Sequence, residues 1–342
     1  MKVLSLFDGM ACWYEALLRA WIPIDKYYAS EIDKYAIQIA QKNHPDIIQI
    51  WDVTQVKWED YQDIDLLIGG SPCQWFSVAG KMLNFNDPRS KLFFEFVRLK
   101  NEIKPKYFLL ENVKMKKEWQ DIISEYLWVQ PIEINSALVS AQSRRRLYRT
   151  NIPWVIQPKD KWILLKDILE NNIDQKYILT ESTIKNLNRS FGSKWKIYED
   201  TNIKSPTLTA SMWMWGGNIP ALVEFRGGEL RIRQATKQWY IVANEWDGIS
   251  LAYPNSTTRR GRVTRQKSNT LVCQWDSYVY DKVIRKLTPI ECERLQTLPD
   301  NYTEWVSDSQ RYKMLWNWWT VEVIAHIFRN MNTWWLKEQP LF

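Results

Sequence analysis

Along the first half of the chain, short apolar runs alternate with longer stretches whose apolar residues return every three or four positions. The short runs read as buried strands and the three-four spacing as helices with one face in a core. Strands are predicted at Lys2 to Phe7, Lys26 to Ser30, Ile47 to Ile50, Asp65 to Ile68 and Lys106 to Leu110. Helices are predicted at Tyr14 to Ala20, Lys34 to Asn43 and Lys91 to Lys100, the last with Asp87 and Ser90 as caps. This alternation gives an α/β class, a doubly wound and mostly parallel sheet.

The alternation stops near Asp174. From there to Arg285 the chain carries short β-prone pieces, Gly-Gly pairs at Gly216 and Gly227, and scattered cations, the marks of a smaller, irregular β-rich domain. Within it, Lys204 to Thr209 and Lys267 to Val272 share wording and read as two similar strands. Helical patterns return at Pro289 to Leu295 and Val321 to Met331. The expected organisation is a first domain over 1–173, a second over 174–285, and a segment over 286–342 that completes the first.

Composition narrows the class. Apolar residues at 45% and charged residues at 25% suit a globular chain with a full core. No run nears the roughly 18 apolar residues that a membrane span needs, and Met1 leads straight into a strand instead of a signal peptide, so a cytoplasmic location is expected. The four cysteines form no Cys-x-x-Cys pair and the histidines number two, which argues against a zinc site, a disulfide framework or any other metal centre. The formal charge of +7 fits a polyanionic partner such as nucleic acid.

Ligands of open parallel sheets bind beyond the carboxyl ends of the strands, so the residues after each strand are the informative ones. The first strand ends in Phe7-Asp8-Gly9-Met10-Ala11-Cys12, a tight turn in which Gly9 lets a ligand approach the backbone. Glu31 follows the second strand, where a carboxylate can hold ribose hydroxyls. Asp52 follows the third, placed to accept a hydrogen bond from an amino group such as that of adenine. Together they describe a pocket for an adenosine-bearing cofactor. Gly9 is followed by Ala11 and Trp13 instead of more glycines, which disfavours a nicotinamide dinucleotide.

After the fourth strand, Gly69-Gly70-Ser71-Pro72-Cys73-Gln74 carries a thiol on a constrained loop outside any apolar run, which favours reactivity over packing. Glu111-Asn112-Val113 follows the fifth strand, and in a desolvated cleft the Glu111 pKa would rise to suit acid catalysis. Gln142-Ser143-Arg144-Arg145-Arg146 reads as a strand with Arg144 and Arg146 on one face, pointing at an anion.

In this order Phe-Asp-Gly, Ser-Pro-Cys-Gln, Glu-Asn-Val and Gln-x-Arg-x-Arg resemble the signature of cytosine-C5 DNA methyltransferases. Arg285 to Cys292, and Asn317 with Thr320-Val321, resemble that family's closing motifs. The resemblance implies a Rossmann-like methyltransferase fold, S-adenosylmethionine as methyl donor, and a cytosine rotated out of double-stranded DNA. It implies that Cys73 adds to C6, that Glu111 contacts N3 and the exocyclic amine, and that Arg144 and Arg146 hold the base and a phosphate. Phe7, Asp8, Gly9, Glu31, Ile32, Asp52, Val53, Pro72, Leu92 and Asn317 are the implied cofactor residues. Ser71, Gln74, Asn112, Val113 and Gln142 are implied on the substrate side. The 174–285 domain becomes the target-recognition domain, with Arg259, Arg260, Arg262, Arg265 and Lys267 meeting DNA.

A restriction-modification or phage methylase follows, expected as a monomer, its cognate endonuclease sharing the site without stable contact. A transfer-RNA methyltransferase of the same superfamily would share pocket and nucleophile; the long cation-bearing domain favours DNA. A DNA-binding relative without activity would lack catalytic residues, yet Cys73, Glu111, Arg144 and Arg146 are present.

The sequence departs from the family at Trp13, Trp51, Trp75, Trp316 and Trp318, where the pattern favours glycine. The chain holds 11 glycines and 21 tryptophans, against about 24 glycines at average usage. Deficit and excess coincide as they would if UGA codons, read as glycine in some bacterial lineages, had been rendered as tryptophan.

Overall fold

A computed structural model of the chain describes residues 1–70, 90–179, 223–226, 228–236, 238, 240–251, 256, 258–270, 277–281 and 283–332. Those residues cluster into two units. The first comprises Met1–Ser140, Arg144–Trp162 and Gln296–Phe342; the second comprises Ala141–Ser143 and Ile163–Leu295. These limits lie about ten residues from the boundaries the sequence pattern suggests, because the helix Pro289–Leu295 groups with the second unit.

The first unit is a doubly wound α/β domain. Its strands are β1 (Lys2–Leu6), β2 (Lys26–Ser30), β3 (Ile48–Gln49), β4 (Leu66–Gly70), β5 (Tyr107–Val113), β6 (Ile132–Asn135) and β7 (Arg145–Thr150). Among the described residues they form one sheet in the order β3-β2-β1-β4-β5-β7-β6. The first five run parallel, while β7 is antiparallel to both β5 and β6. Helices α1 (Cys12–Arg19), α2 (Lys34–Asn43), α3 (Ser90–Ile103) and α4 (Lys117–Leu127) connect them. Asp33 caps α2, its carboxylate accepting from the Tyr35 amide at 2.9 Å.

The inner strands are apolar on both faces, as burial between helix layers requires. Leu4, Leu6, Leu67, Phe108 and Leu110 of the sheet pack with Phe93, Phe96 and Leu99 of α3. Each such side chain stabilises the fold by roughly 1.5–3 kcal/mol relative to leaving it exposed. The helix Val321–Phe328 packs on α1, with the rings of Trp13 and Phe328 at 6.3 Å.

Four predicted strands differ in their limits from those observed: β1 ends at Leu6, and β4 runs Leu66–Gly70, so Gly69 and Gly70 close that strand instead of following it. The run at Ile47 to Ile50 contributes only Ile48–Gln49, at the open edge of the sheet where one neighbour alone supplies hydrogen bonds. The fifth strand continues past Leu110 to Val113, because pairing with β7 extends the ladder. Glu111, Asn112 and Val113 therefore sit within a strand instead of after it.

The second unit contains a three-stranded antiparallel sheet (Val223–Arg226, Glu229–Arg233, Tyr240–Ala243) among the described residues. Beside it stands a four-stranded one (Gly248–Ser250, Val263–Thr264, Ser277–Asp281, Val283–Lys286). Leu230, Ile232, Ile249, Leu251 and Ile284 share a core. Lys204 to Thr209 lies outside the described residues, and Lys267 to Thr270 carries an isolated bridge from Ser268 to Gln142 in place of a strand. No described helix is long and apolar enough to cross a membrane.

Candidate active site

The carboxyl edge of the parallel strands is built by the turns the sequence singled out. The β1-α1 turn needs left-handed backbone at three places: Phe7 (φ 58°), Gly9 (φ 61°) and Ala11 (φ 64°). Two tyrosines hold it. Tyr27 donates to Asp8 Oδ1 at 2.5 Å and Tyr302 donates to the Met10 carbonyl at 2.8 Å. Glu31 closes the other side, its Oε2 accepting the Gly9 amide at 2.9 Å and its Oε1 accepting the Ile32 and Asp33 amides at 2.8 Å each.

Of the implied cofactor residues, Phe7 and Leu92 are half-buried against the core beneath this edge. Ile32, Asp52 and Asn317 are exposed and Val53 is buried. Asp52 caps a short turn by accepting the Thr54 amide at 2.9 Å. Asp8 points inward: it is fully buried, and burial pushes its pKa up to about 7 against the pull of its Ser5 and Tyr27 hydrogen bonds.

Indoles occupy the mouth of this edge. Trp13, Trp318 and Trp319 are buried together, with ring centroids at 4.2 Å (Trp13 to Trp319) and 4.9 Å (Trp318 to Trp319). A Cβ built on Gly9 would overlap the Trp318 ring, and one built on Gly70 would overlap the Trp319 ring. The indoles thus lie flush on the two glycines where strands β1 and β4 end.

Glu111 and Arg146 meet on the next strands. Register pairs Val113 with Arg146 and Glu111 with Tyr148, which puts Glu111 and Arg146 on one face as diagonal neighbours. Arg146 Nε lies 3.0 Å from Glu111 Oε1. Burial drives the Glu111 pKa up, opposed by Arg146, a hydrogen bond from Trp319, and Arg144. Arg144 is buried just before β7, its amide held by Asn135 Oδ1 at 3.0 Å and its Nη2 donating to the Trp316 carbonyl at 3.2 Å. A buried carboxylate of raised pKa beside two guanidinium groups can share a proton with a base and balance the resulting charge.

The other face of the same strands is structural. Asn112 Oδ1 accepts from Arg149 Nη1 at 3.3 Å, and Arg149 also donates to Ser124 Oγ at 3.1 Å and the Gln120 carbonyl at 2.9 Å. Asn112 is fully buried and Val113 half-buried. Gln142 is buried in the second unit.

In that unit Arg262 is buried and donates to the Ser250 carbonyl at 3.3 Å, while Arg265 is paired with Asp247 at 2.5 Å. Arg259 donates to Ser250 Oγ at 3.1 Å, and the exposed Arg260 donates to the Ala235 carbonyl at 3.0 Å. Lys267 is half-buried and donates to the Ile163 carbonyl. Ser71, Pro72, Cys73 and Gln74, and with them Trp75, lie outside the described residues. Among the described residues no His, Cys, Asp and Glu cluster could hold a metal.

Sequence reasoning missed Tyr27, Tyr302, Asn135 and Trp319, which position the turn, Arg144 and Glu111. Their spacing carries no signal, since each acts on a residue distant in the chain. Arg149 was readable: a period of two puts it opposite Arg146.

The model of the C-5 cytosine-specific DNA methylase family matches residues 1–125 and 135–333. The chain is 27% identical to the orphan methyltransferase M.SPRI of Bacillus phage SPR, over 97% of each chain. It is 29% identical to the type II methyltransferase M.NlaX of Neisseria lactamica, over 97% of this chain and 96% of that one. The crystal structure of the S. pombe Dnmt2 methyltransferase superposes with a TM-score of 0.58 at 19% identity, covering 96% of this chain and 97% of that one, a likeness of fold. The chain therefore belongs to the C-5 cytosine-specific DNA methylase family.

Proposed function

We propose that this chain transfers a methyl group from S-adenosylmethionine to C5 of a cytosine in a specific sequence of double-stranded DNA. The observation that carries the reading is the buried Glu111 carboxylate with Arg146 at 3.0 Å and Arg144 beside it. It stands on the strand that pairs with Gly70, the residue that precedes Ser71-Pro72-Cys73-Gln74 in the sequence.

A cytosine turned out of the duplex offers N3 as acceptor and its exocyclic amine as donor. Glu111, whose raised pKa favours holding a proton, donates to N3 while its other oxygen accepts from the amine. The Cys73 thiolate forms a bond to C6; the C5–C6 π pair moves toward C5 and the ring, and the N3 proton neutralises the charge. C5 takes the methyl group and the donor leaves as S-adenosylhomocysteine. The C5 proton passes to solvent, its C–H pair re-forms the C5–C6 double bond as the C6–S pair returns to Cys73, and the N3 proton returns to Glu111. Arg146 keeps Glu111 in place and Arg144 stabilises the anionic adduct.

On the donor side, Gly9, Glu31 and Asp52 suit an adenosine-bearing ligand: backbone free to approach and two carboxylates at successive strand ends. The indoles of Trp13, Trp318 and Trp319 do not, since they fill the edge that the ligand would need. The 174–285 domain is read as the target-recognition domain, in which exposed Arg260 meets phosphate and buried Arg262 supports the fold. The names of the phage and type II relatives support a role in phage or restriction-modification DNA methylation.

The test incubates unmethylated plasmid with S-adenosylmethionine and purified protein, as written and with the tryptophans at the pocket changed to glycine, followed by base-resolution bisulfite sequencing. Conversion-resistant cytosines in a fixed motif, absent with Cys73→Ser, are expected. No protected cytosine with either form, or protection only of transfer RNA, overturns the reading.

A further inference from the structure

Tryptophan occupies backbone that suits glycine. Among the described residues, twelve non-glycine residues have positive φ, and six are tryptophan: Trp21 (57°), Trp51 (60°), Trp128 (60°), Trp154 (59°), Trp162 (54°) and Trp246 (68°). Left-handed backbone is uncommon for any residue with a Cβ, and a bulky ring adds nothing that favours it. With 21 tryptophans in 342 residues, twelve positions drawn at random would hold about one.

Local hydrogen bonds say what two of the positions are for. After α1, the Ile22 amide donates to the Leu17 carbonyl at 3.1 Å and the Trp21 amide to the Leu18 carbonyl at 3.0 Å. That pair of bonds closes a helix end whose left-handed residue is usually glycine, and Trp21 stands there. Trp128 is the left-handed residue that ends α4. Four of these side chains are largely exposed: Trp21 at 87%, Trp128 at 86%, Trp162 at 76% and Trp154 at 72%. Trp119 is the contrast, packed against the main core from within α4.

The second observation is at the pocket. Trp318 packs on Gly9 and Trp319 on Gly70 at the ligand edge of the sheet, with Trp13 against the Trp319 ring. Trp13 Nε1 is buried there without a hydrogen-bond partner, a donor no tertiary contact has been built to serve. Surface turns and the pocket share no function, yet both carry tryptophan where the backbone or the ligand needs the absence of a side chain.

We propose that Trp13, Trp21, Trp51, Trp128, Trp154, Trp162, Trp246 and Trp318 are glycine in the protein that the host makes, at UGA codons read there as glycine, and that with glycine the strand-end pocket opens to an adenosine-bearing methyl donor. The pocket half rests on the proposed function; the surface half does not. Trp119 remains tryptophan.

Three proteins are compared with the unaltered chain: one with the six left-handed positions changed to glycine, one with all eight changed, and one carrying Trp119→Gly alone. The six-site form is expected to melt about 5 °C or more higher, because left-handed strain is removed at positions of which five are exposed and Trp246 is half-buried. Trp119→Gly is expected to melt lower. The eight-site form is expected to bind S-adenosylmethionine at least tenfold tighter than the unaltered chain, read by calorimetry. An unchanged or lower melting temperature in the six-site form overturns the glycine assignment, as do UGG codons at these positions in the gene. An unaltered chain that binds the donor as tightly as the eight-site form overturns the pocket half. A raised melting temperature with no binding by either form upholds the assignment and instead sinks the methyl-donor reading.

Discussion

Arg146 Nε lies 3.0 Å from Glu111 Oε1, and the contact exists because β7 enters the sheet between β5 and β6. Antiparallel pairing of Val113 with Arg146 makes the guanidinium a diagonal neighbour of the carboxylate on the same face.

Glu111→Gln retains the side chain's size and removes its proton. Single-turnover methylation by the donor-binding form is expected to slow about 100-fold or more, while the melting temperature changes little. A rate within tenfold of the parent would assign the proton to another group.

Asp8 ties stability to pH. Its folded pKa of about 7 stands above the usual carboxylate value of 3.8, so the folded state holds the proton more tightly than the unfolded chain. Its contribution is fully present below pH 3.8 and is lost as pH rises through 7. The difference amounts to about 4 kcal/mol between those limits. His44 works in the opposite direction, since burial lowers its pKa to about 4. Comparing Asp8→Asn with the parent cancels the histidine. Urea melts are expected to show the variant gaining stability relative to the parent between pH 5 and 8, and parallel curves would contradict the inward placement of Asp8.

Arg285 and Glu291 form a buried two-point ion pair in the second unit, with both nitrogen-oxygen distances at 2.8 Å. Glu291→Ala leaves the guanidinium without its partner and is expected to cost about 3–5 kcal/mol. The double change Arg285→Met with Glu291→Leu is expected to cost less than the single one. Chemical denaturation of the two variants decides it.

Arg260 is exposed, and its side chain donates to a backbone carbonyl in place of a carboxylate. Arg260→Ala is expected to weaken duplex binding for every sequence and to reduce the slope of log affinity against log salt by about 1. Arg262→Ala, at a buried position, is expected to lower the melting temperature of the chain instead. An unaltered salt slope with Arg260→Ala would remove that residue from the DNA interface.

Much of the first unit was legible in sequence. Hydrophobic periodicity is a local property, so β2, α2 and the helix Pro289–Leu295 begin and end where the pattern places them. Parallel topology then fixes which residues share an edge, and Gly9, Glu31, Asp52 and Gly70 follow from strand ends alone. The coincidence of missing glycine with surplus tryptophan was also a property of the sequence. What only the tertiary structure decided is the direction and surroundings of side chains whose partners are remote: Asp8 turned inward to Tyr27, Asn112 committed to Arg149, Arg262 taken into a core, Trp319 laid between Gly70 and Glu111. Backbone sign at Trp21 and Trp128 belongs to the same class, because φ at a helix end is set by where the chain must go next. Local pattern determines which elements form; the contacts between them determine what each residue at their ends is free to do.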